Sequence, residues 1–372
     1  MRVIKLFIIL STLMWTFISY ANDIKDGVVQ ISDQRAVYYQ HVKAKAGKPT
    51  IVLLNGWIYP IKNWETYVNE LAAKGYGVVL VAYSTQTESL RYVKTTPHYE
   101  DLKSVPLGQI HKGIETKDLA DDVMSVVDKL GIDKFHMQTL SYGSIVGSFI
   151  ANNFANRVRS VTLITPAVVP SNRYTPYGES RHLYYVWLNE VNKNSFIIPD
   201  DWYDLEIYQS LRLVMEFQKK KMDLNGVSFE RFLNGAFQMG RSTKYFDLKD
   251  EATQSWPNVN VILASQEEPM LLKDQFRFWD IKEKSSPESR LVLMEDVPHA
   301  IPGAQPFLLA ELTDQLLSKT ISPGEHKMSS VTGALDNSEP ARNILKSCGF
   351  YLSKNNSILG ASTSTLGTKS SN

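Results

Sequence analysis

The chain has 372 residues, 43% of them hydrophobic and 21% charged, enough apolar material for a large buried core and too ordinary a balance for a wholly disordered, collagenous or coiled-coil protein. Lys plus Arg number 40 against 39 Asp plus Glu, so no basic surplus exists to neutralise a phosphate backbone, and nucleic acid is excluded as the main partner. One cysteine, Cys348, cannot form an internal disulfide or a Cys-rich zinc site and reads as an incidental thiol.

Residues 1–21 have the layout of a secretory signal peptide. Arg2 and Lys5 precede the apolar run at 6–18, and Ser19-Tyr20-Ala21 places small residues where a signal peptidase cuts. This run of thirteen residues, ten of them apolar, falls short of the roughly 20 needed to span a bilayer, so cleavage after Ala21 is expected to leave no stable membrane anchor. The mature protein is expected in the periplasm or outside the cell.

The pattern then becomes that of an α/β domain. VVQIS at 28–32 and AVYYQHV at 36–42 suggest an antiparallel hairpin. Apolar strand patterns at 50–56, 78–84, 134–141 and 159–169 alternate with helical ones. One helix is spaced by Trp64, Tyr67, Val68 and Leu71, another by Leu119, Val123, Val126, Val127 and Leu130, and a third is predicted over 143–155. Strands apolar on both faces imply a mostly parallel sheet with helices on both sides. The first part of the core is therefore assigned to 22–169. From 170 to 256 no parallel strand is evident, and 16 of the chain's 40 aromatic residues fall there. This segment is expected to be a helical cap whose aromatics mostly form its own core. Strand patterns resume at 258–265 and 289–297, and a last helix begins near Pro306, closing the second part of the core at 257–319. Residues 320–372 contain 16 Ser or Thr and read as a largely disordered tail, with a short helix conceivable over 341–352.

Thr139-Leu140-Ser141-Tyr142-Gly143 stands where a strand turns into a helix. A serine on such a corner exposes its hydroxyl at the carboxyl end of the sheet, and it then needs a base and an acid that orients the base. Of the seven histidines, only His299 directly follows a late strand, in EDVPHAIPG. His41 and His136 lie within strand patterns, His326 in the tail, and His98, His111 and His182 in the linker or cap. For the acid, the strand at 159–169 is followed by no Asp or Glu, whereas the strand at 258–265 is followed by Glu267 and Glu268. The chain order serine, acid, histidine is that of the α/β hydrolases.

These motifs together resemble a secreted member of the α/β-hydrolase superfamily with a helical cap, over roughly residues 25–318. The 139–143 corner resembles the nucleophile elbow G-x-S-x-G, with Thr139 at the first glycine. SQEEP at 265–269 resembles the G-x-x-D-P turn with Glu268 at the acid position, Glu267 being the alternative. VPHAIPG resembles the histidine loop, and LLNGW at 53–57 the turn that forms the oxyanion hole, with Asn55 in place of the usual histidine. The resemblance implies a Ser141, Glu268 and His299 triad, backbone N–H donors from Trp57 and Tyr142, and no metal or organic cofactor. The expected activity is hydrolysis of a small-molecule or lipid-like carboxylic ester through an acyl-enzyme. Two enzymatic alternatives are an acyltransferase and an aminopeptidase, the latter with Asp200, Asp201 or Glu206 holding the substrate's amino group. A non-catalytic binding protein of the same fold is the alternative from another class.

Overall fold

The computed structural model describes residues 24–94, 114–168, 226–243, 253–338 and 340–347. It adds shorter pieces within 211–224 and 248–251 and a strand pair at 351–352 and 358–359. Residues 1–21, expected to be a signal peptide, the histidines 98, 111 and 182, the acidic residues 200, 201 and 206, and Cys348 lie outside the described residues.

Ten strands form one sheet in the order β1-β2-β4-β3-β5-β6-β7-β8-β9-β10. β1 (Lys25–Ser32) and β2 (Arg35–Val42) are the expected hairpin, and β2 runs antiparallel to β4 (Gly77–Ala82). From β4 through β3 (Thr50–Leu54), β5 (Phe135–Leu140), β6 (Val158–Ile164), β7 (Val259–Ala264) and β8 (Arg290–Met294) every pairing is parallel. Neighbouring residues along a strand supply opposite faces. Val52 and Leu54 enter one core with α2 (Thr116–Lys129), α3 (Gly143–Asn153) and α5 (Pro269–Ser285). Ile51 and Leu53 enter the other with α1 (Glu65–Ala73) and α6 (Pro306–Leu317). A buried polar bridge ties the second layer together: the Tyr67 hydroxyl lies 2.5 Å from Gln138 Oε1 on β5 and 2.8 Å from Thr313 Oγ1 on α6.

The described part of the cap is helical. α4 (Phe229–Ser242) starts at a Ser228 cap, whose Oγ accepts from Arg231 N–H at 3.2 Å. Its phenylalanines 229, 232 and 237 cluster with Leu211, Met215 and Leu233, and Trp57 and Ile58 of the core pack against the cluster. The main domain returns earlier than residue 257. Leu248 is fully buried in the main core, with its N–H on Val168 O at 2.7 Å, and Trp256 joins the same core.

The expectation of a disordered tail from 320 fails for its first part. β9 (Gly324–Met328) adds to the sheet parallel to β8, and β10 (Leu335–Asp336) returns antiparallel to β9. Beyond them Arg342 pairs with Asp280 at 2.8 Å and with Glu325, while Ala341 and Leu345 are buried. Composition misleads here because β9 is short and polar in sequence. His326 and Met328 face inward while Glu325 and Lys327 take the other side, and the Ser/Thr excess lies mostly further on. No helix among the described residues is long and apolar enough to cross a membrane.

Candidate active site

Four strand ends converge at the carboxyl edge of the sheet. The backbone there is held in the left-handed region at Ile58 (φ 47°) after β3, Ser141 (φ 50°) after β5, Thr165 (φ 41°) after β6 and Asp296 (φ 54°) after β8. Each such non-glycine residue costs about 1–3 kcal/mol unless its surroundings enforce it, and strain of this kind collects at functional sites.

Ser141 is held by its own peptide groups. Its N–H donates to Ile164 O at 2.9 Å, and its carbonyl accepts from Ala167 N–H at 3.1 Å and Ser144 Oγ at 2.6 Å. α3 begins immediately after it and is pressed onto the end of β3: a Cβ at Gly143 would come within 2.5 Å of Leu54 O. Thr139, at the position where the resemblance calls for glycine, is fully buried, and the space it needs is supplied from the helix. Gly147 faces it, and a Cβ there would approach Thr139 Cγ2 to 2.6 Å. The threonine thus replaces one glycine at the cost of requiring another.

The histidine loop crosses back over the sheet. Val297 O accepts from Gln266 N–H at 3.1 Å beside β7, and His299 O accepts from Thr165 Oγ1 at 3.0 Å beside β6. Segment 165–167 is therefore hydrogen-bonded to Ser141 on one side and to His299 on the other. His299 Nδ1 lies 2.5 Å from Glu267 Oε2, whose side chain is only 5% exposed while that of the imidazole is 37% exposed. The acid at the histidine is Glu267, not the expected Glu268. Glu268 is the N-cap of α5: its Oε2 accepts the Leu271 N–H at 2.8 Å, and Pro269 follows at the first helical position. A side chain committed to a helix end cannot also orient the ring, and a Glu-Pro step opening a helix is the sequence signal for that commitment.

The loop after β3 is knitted by Asn55, which is fully buried. Its Oδ1 accepts from Gly56 N–H at 2.9 Å and from Trp64 Nε1 at 2.8 Å, and its Nδ2 donates to Tyr59 O at 2.5 Å. Gln86 reinforces it, donating to Gly56 O at 2.9 Å. Asn55 is thus an organising residue for the turn that carries Trp57. The Trp57 indole donates to Ala236 O on α4 at 2.7 Å, so the cap sits directly on this loop. Among the described residues the main-chain N–H groups of Trp57 and Tyr142 enter no backbone–backbone hydrogen bond of a turn or loop. Gln86 and Thr165 were not singled out by sequence reasoning, since a buried amide or hydroxyl in a loop carries no periodic signal.

Beneath the elbow, Asp122 of α2 is buried. Its Oδ1 lies 2.7 Å from Arg35 Nη2, and its Oδ2 accepts Ser84 N–H at 2.9 Å. Burial pushes its carboxyl up to about 6. No group of three or more His, Cys, Asp or Glu positioned to hold a metal occurs among the described residues.

Comparison with known proteins agrees with this architecture. The family model described as the alpha/beta hydrolase fold matches residues 49–192. The chain has the α/β-hydrolase fold. Among solved structures it is similar to the epoxide hydrolase VrEH1 from Vigna radiata, at 13% identity, with a TM-score of 0.52, covering 80% of this chain and 99% of that one. It is also similar to a bacterial membrane phospholipase A described as a virulence factor, at 14% identity and a TM-score of 0.51, covering 86% and 98%. MGS-M2, from a Medee basin deep-sea metagenome library, matches at 15% identity and a TM-score of 0.51, covering 80% and 99%. No curated protein matches in sequence. At these identities the likeness concerns the α/β-hydrolase fold itself, and the chemistry has to come from the side chains.

Proposed function

We propose that this chain is a serine hydrolase acting on a carboxylic ester through an acyl-enzyme, with Ser141 as nucleophile, His299 as base and Glu267 as the orienting acid. The observation that carries the reading is the 2.5 Å contact between His299 Nδ1 and the buried Glu267 carboxylate, in a loop fastened through Thr165 to the strand beside Ser141. An acceptor at Nδ1 keeps the proton there and leaves Nε2 unprotonated, the tautomer a general base requires.

In this mechanism Nε2 takes the Ser141 hydroxyl proton as Oγ attacks the acyl carbonyl. The developing oxyanion accepts from the Trp57 and Tyr142 N–H groups, donors fixed in advance by the Asn55-knitted turn and the start of α3. The imidazolium, stabilised by Glu267, returns its proton to the leaving alcohol oxygen. Water then enters, is deprotonated by the same nitrogen and releases the acid from Ser141. The reaction needs no metal or organic cofactor, and the apolar cap over Trp57 suits a small or lipid-like acyl ester.

The test is covalent labelling with a fluorophosphonate serine probe, followed by peptide mapping, on wild type and on Ser141→Ala. Labelling confined to Ser141 and loss of esterase turnover in the variant are expected. A folded Ser141→Ala protein with wild-type turnover overturns the assignment.

A further inference from the structure

We propose that the acyl part of the substrate carries a neutral hydrogen-bonding group, a hydroxyl or a carboxamide, and that Gln238 and Thr85 hold it beneath the cap helix. The inference rests on the serine-hydrolase reading above and adds a substrate class to it.

Gln238 is 1% exposed, and among the described residues neither its Oε1 nor its Nε2 has a hydrogen-bond partner. The same holds for the hydroxyls of Tyr83 and Thr85 in the turn after β4, both residues buried. Folded proteins leave few polar groups in this state, and each costs free energy until a partner arrives. Here three side chains share the condition, and the geometry gathers them. Gly235 of α4 rests on Thr85 so closely that a Cβ would collide with its carbonyl oxygen. Ser242 Oγ, two turns on, lies 2.6 Å from the Tyr142 hydroxyl. Gln238 is one turn after Gly235 and one turn before Ser242, on the face that α4 turns toward the core. It therefore lies between Thr85 and Tyr142. Tyr83 closes the group, its ring meeting that of Tyr142 edge-on at 6.2 Å between centroids.

The side of the scissile bond follows from proton transfer. His299 must protonate the leaving oxygen, so the alcohol lies toward the histidine loop over β6 and β7. The acyl substituent then leaves the carbonyl in the other direction, toward β3 and β4, where residues 83–85 stand. The group they would recognise is neutral, because the ionised pair at hand is already committed to itself: Arg35 Nη2 lies 2.7 Å from Asp122 Oδ1. An amide that both donates and accepts, surrounded by hydroxyls, matches a hydroxyl or carboxamide.

The experiment compares kcat/KM for para-nitrophenyl esters of equal acyl length, plain alkanoyl against terminally hydroxylated and carboxamide-bearing. A second pair, ethyl against hydroxyethyl esters of one plain acid, places the hydroxyl on the alcohol instead. Wild type is expected to favour the polar acyl chains by roughly tenfold or more. Gln238→Met should erase that preference and melt no lower than wild type, since it removes a buried amide without a partner. Thr85→Val, nearly isosteric, should reduce the preference and keeps the inference testable if Gln238→Met does not fold. No acyl preference in wild type, a preference retained in both folded variants, or a preference that follows the alcohol overturns the inference, while probe labelling of Ser141 would leave the serine-hydrolase reading standing. If no ester is turned over and Ser141 is not labelled, that reading has failed and this one falls with it.

Discussion

Glu267→Gln is expected to cripple turnover while Glu268→Gln is nearly silent, although the two residues are adjacent. Glu267 has a side chain only 5% exposed, with Oε2 2.5 Å from His299 Nδ1. An amide in its place keeps the volume but can present its NH2 to the ring, which reverses the tautomer and puts the proton on Nε2, the nitrogen that must accept the Ser141 proton. The same change in a serine protease costs about 10⁴ in turnover, with geometry preserved. A loss of roughly 10³ to 10⁴ is expected here, equivalent to about 4–5.5 kcal/mol of transition-state stabilisation. Glu268 works elsewhere, accepting Leu271 N–H at 2.8 Å as the cap of α5. Glutamine retains an acceptor oxygen, so the cost should stay under about 1 kcal/mol of stability and turnover should change less than about threefold, a change of ~0.65 kcal/mol in the barrier. Both variants are to be assayed on an activated short-chain ester at the pH optimum, after thermal melts show that each folds. A crippled Glu268→Gln beside an active Glu267→Gln refutes the reasoning, and full activity in both removes the acid from this turn altogether.

Further outcomes follow from the packing. Gly147→Ala should cost about 1–3 kcal/mol, because its Cβ would sit 2.6 Å from Thr139 Cγ2, and adding Thr139→Ala should recover most of the loss in a double-mutant cycle read by urea denaturation. Removing residues 319–372 should sharply lower soluble yield, since it strips β9 from the edge of β8 and withdraws Ile321, Met328 and Leu345, each buried side chain being worth roughly 1.5–3 kcal/mol. His136, on β5 with Nδ1 2.6 Å from Ser160 Oγ, is pushed down by burial to about 4, below the ordinary 6.5. Its folded state binds fewer protons than its unfolded state in that interval, so its stability contribution is present above pH 6.5 and is lost as pH falls toward 4. His136→Gln should therefore melt with a shallower decline than wild type between those pH values, and an unchanged decline would show that other groups govern it.

Much of the fold was legible because it is written in uninterrupted apolar strands and amphipathic helices. The hairpin at the first edge, the parallel strands β3 to β8 and the positions of Ser141 and His299 at strand ends all followed from periodicity and chain order. The failures have local causes. The acid was misplaced by one residue because similarity to a turn pattern outweighed the helix-start signal of Glu268 and Pro269. β9 was missed because a five-residue strand that alternates polar and buried residues disappears in an average taken over 53. The fastening of His299 through Thr165, and of the Trp57 turn through Asn55, are tertiary contacts that no spacing along the chain announces.

The exchange between Thr139 and Gly147 alters how an elbow of this kind should be sought in other chains. The requirement at the corner is for free volume between strand and helix, and the alphabet position at which that volume is left empty can migrate by two helical turns. A search that insists on glycine two residues before the serine passes over such chains. One that also admits a β-branched residue there, provided a glycine stands six residues after the serine, would gather them, and it would separate intact corners from ones whose helix has filled the same space.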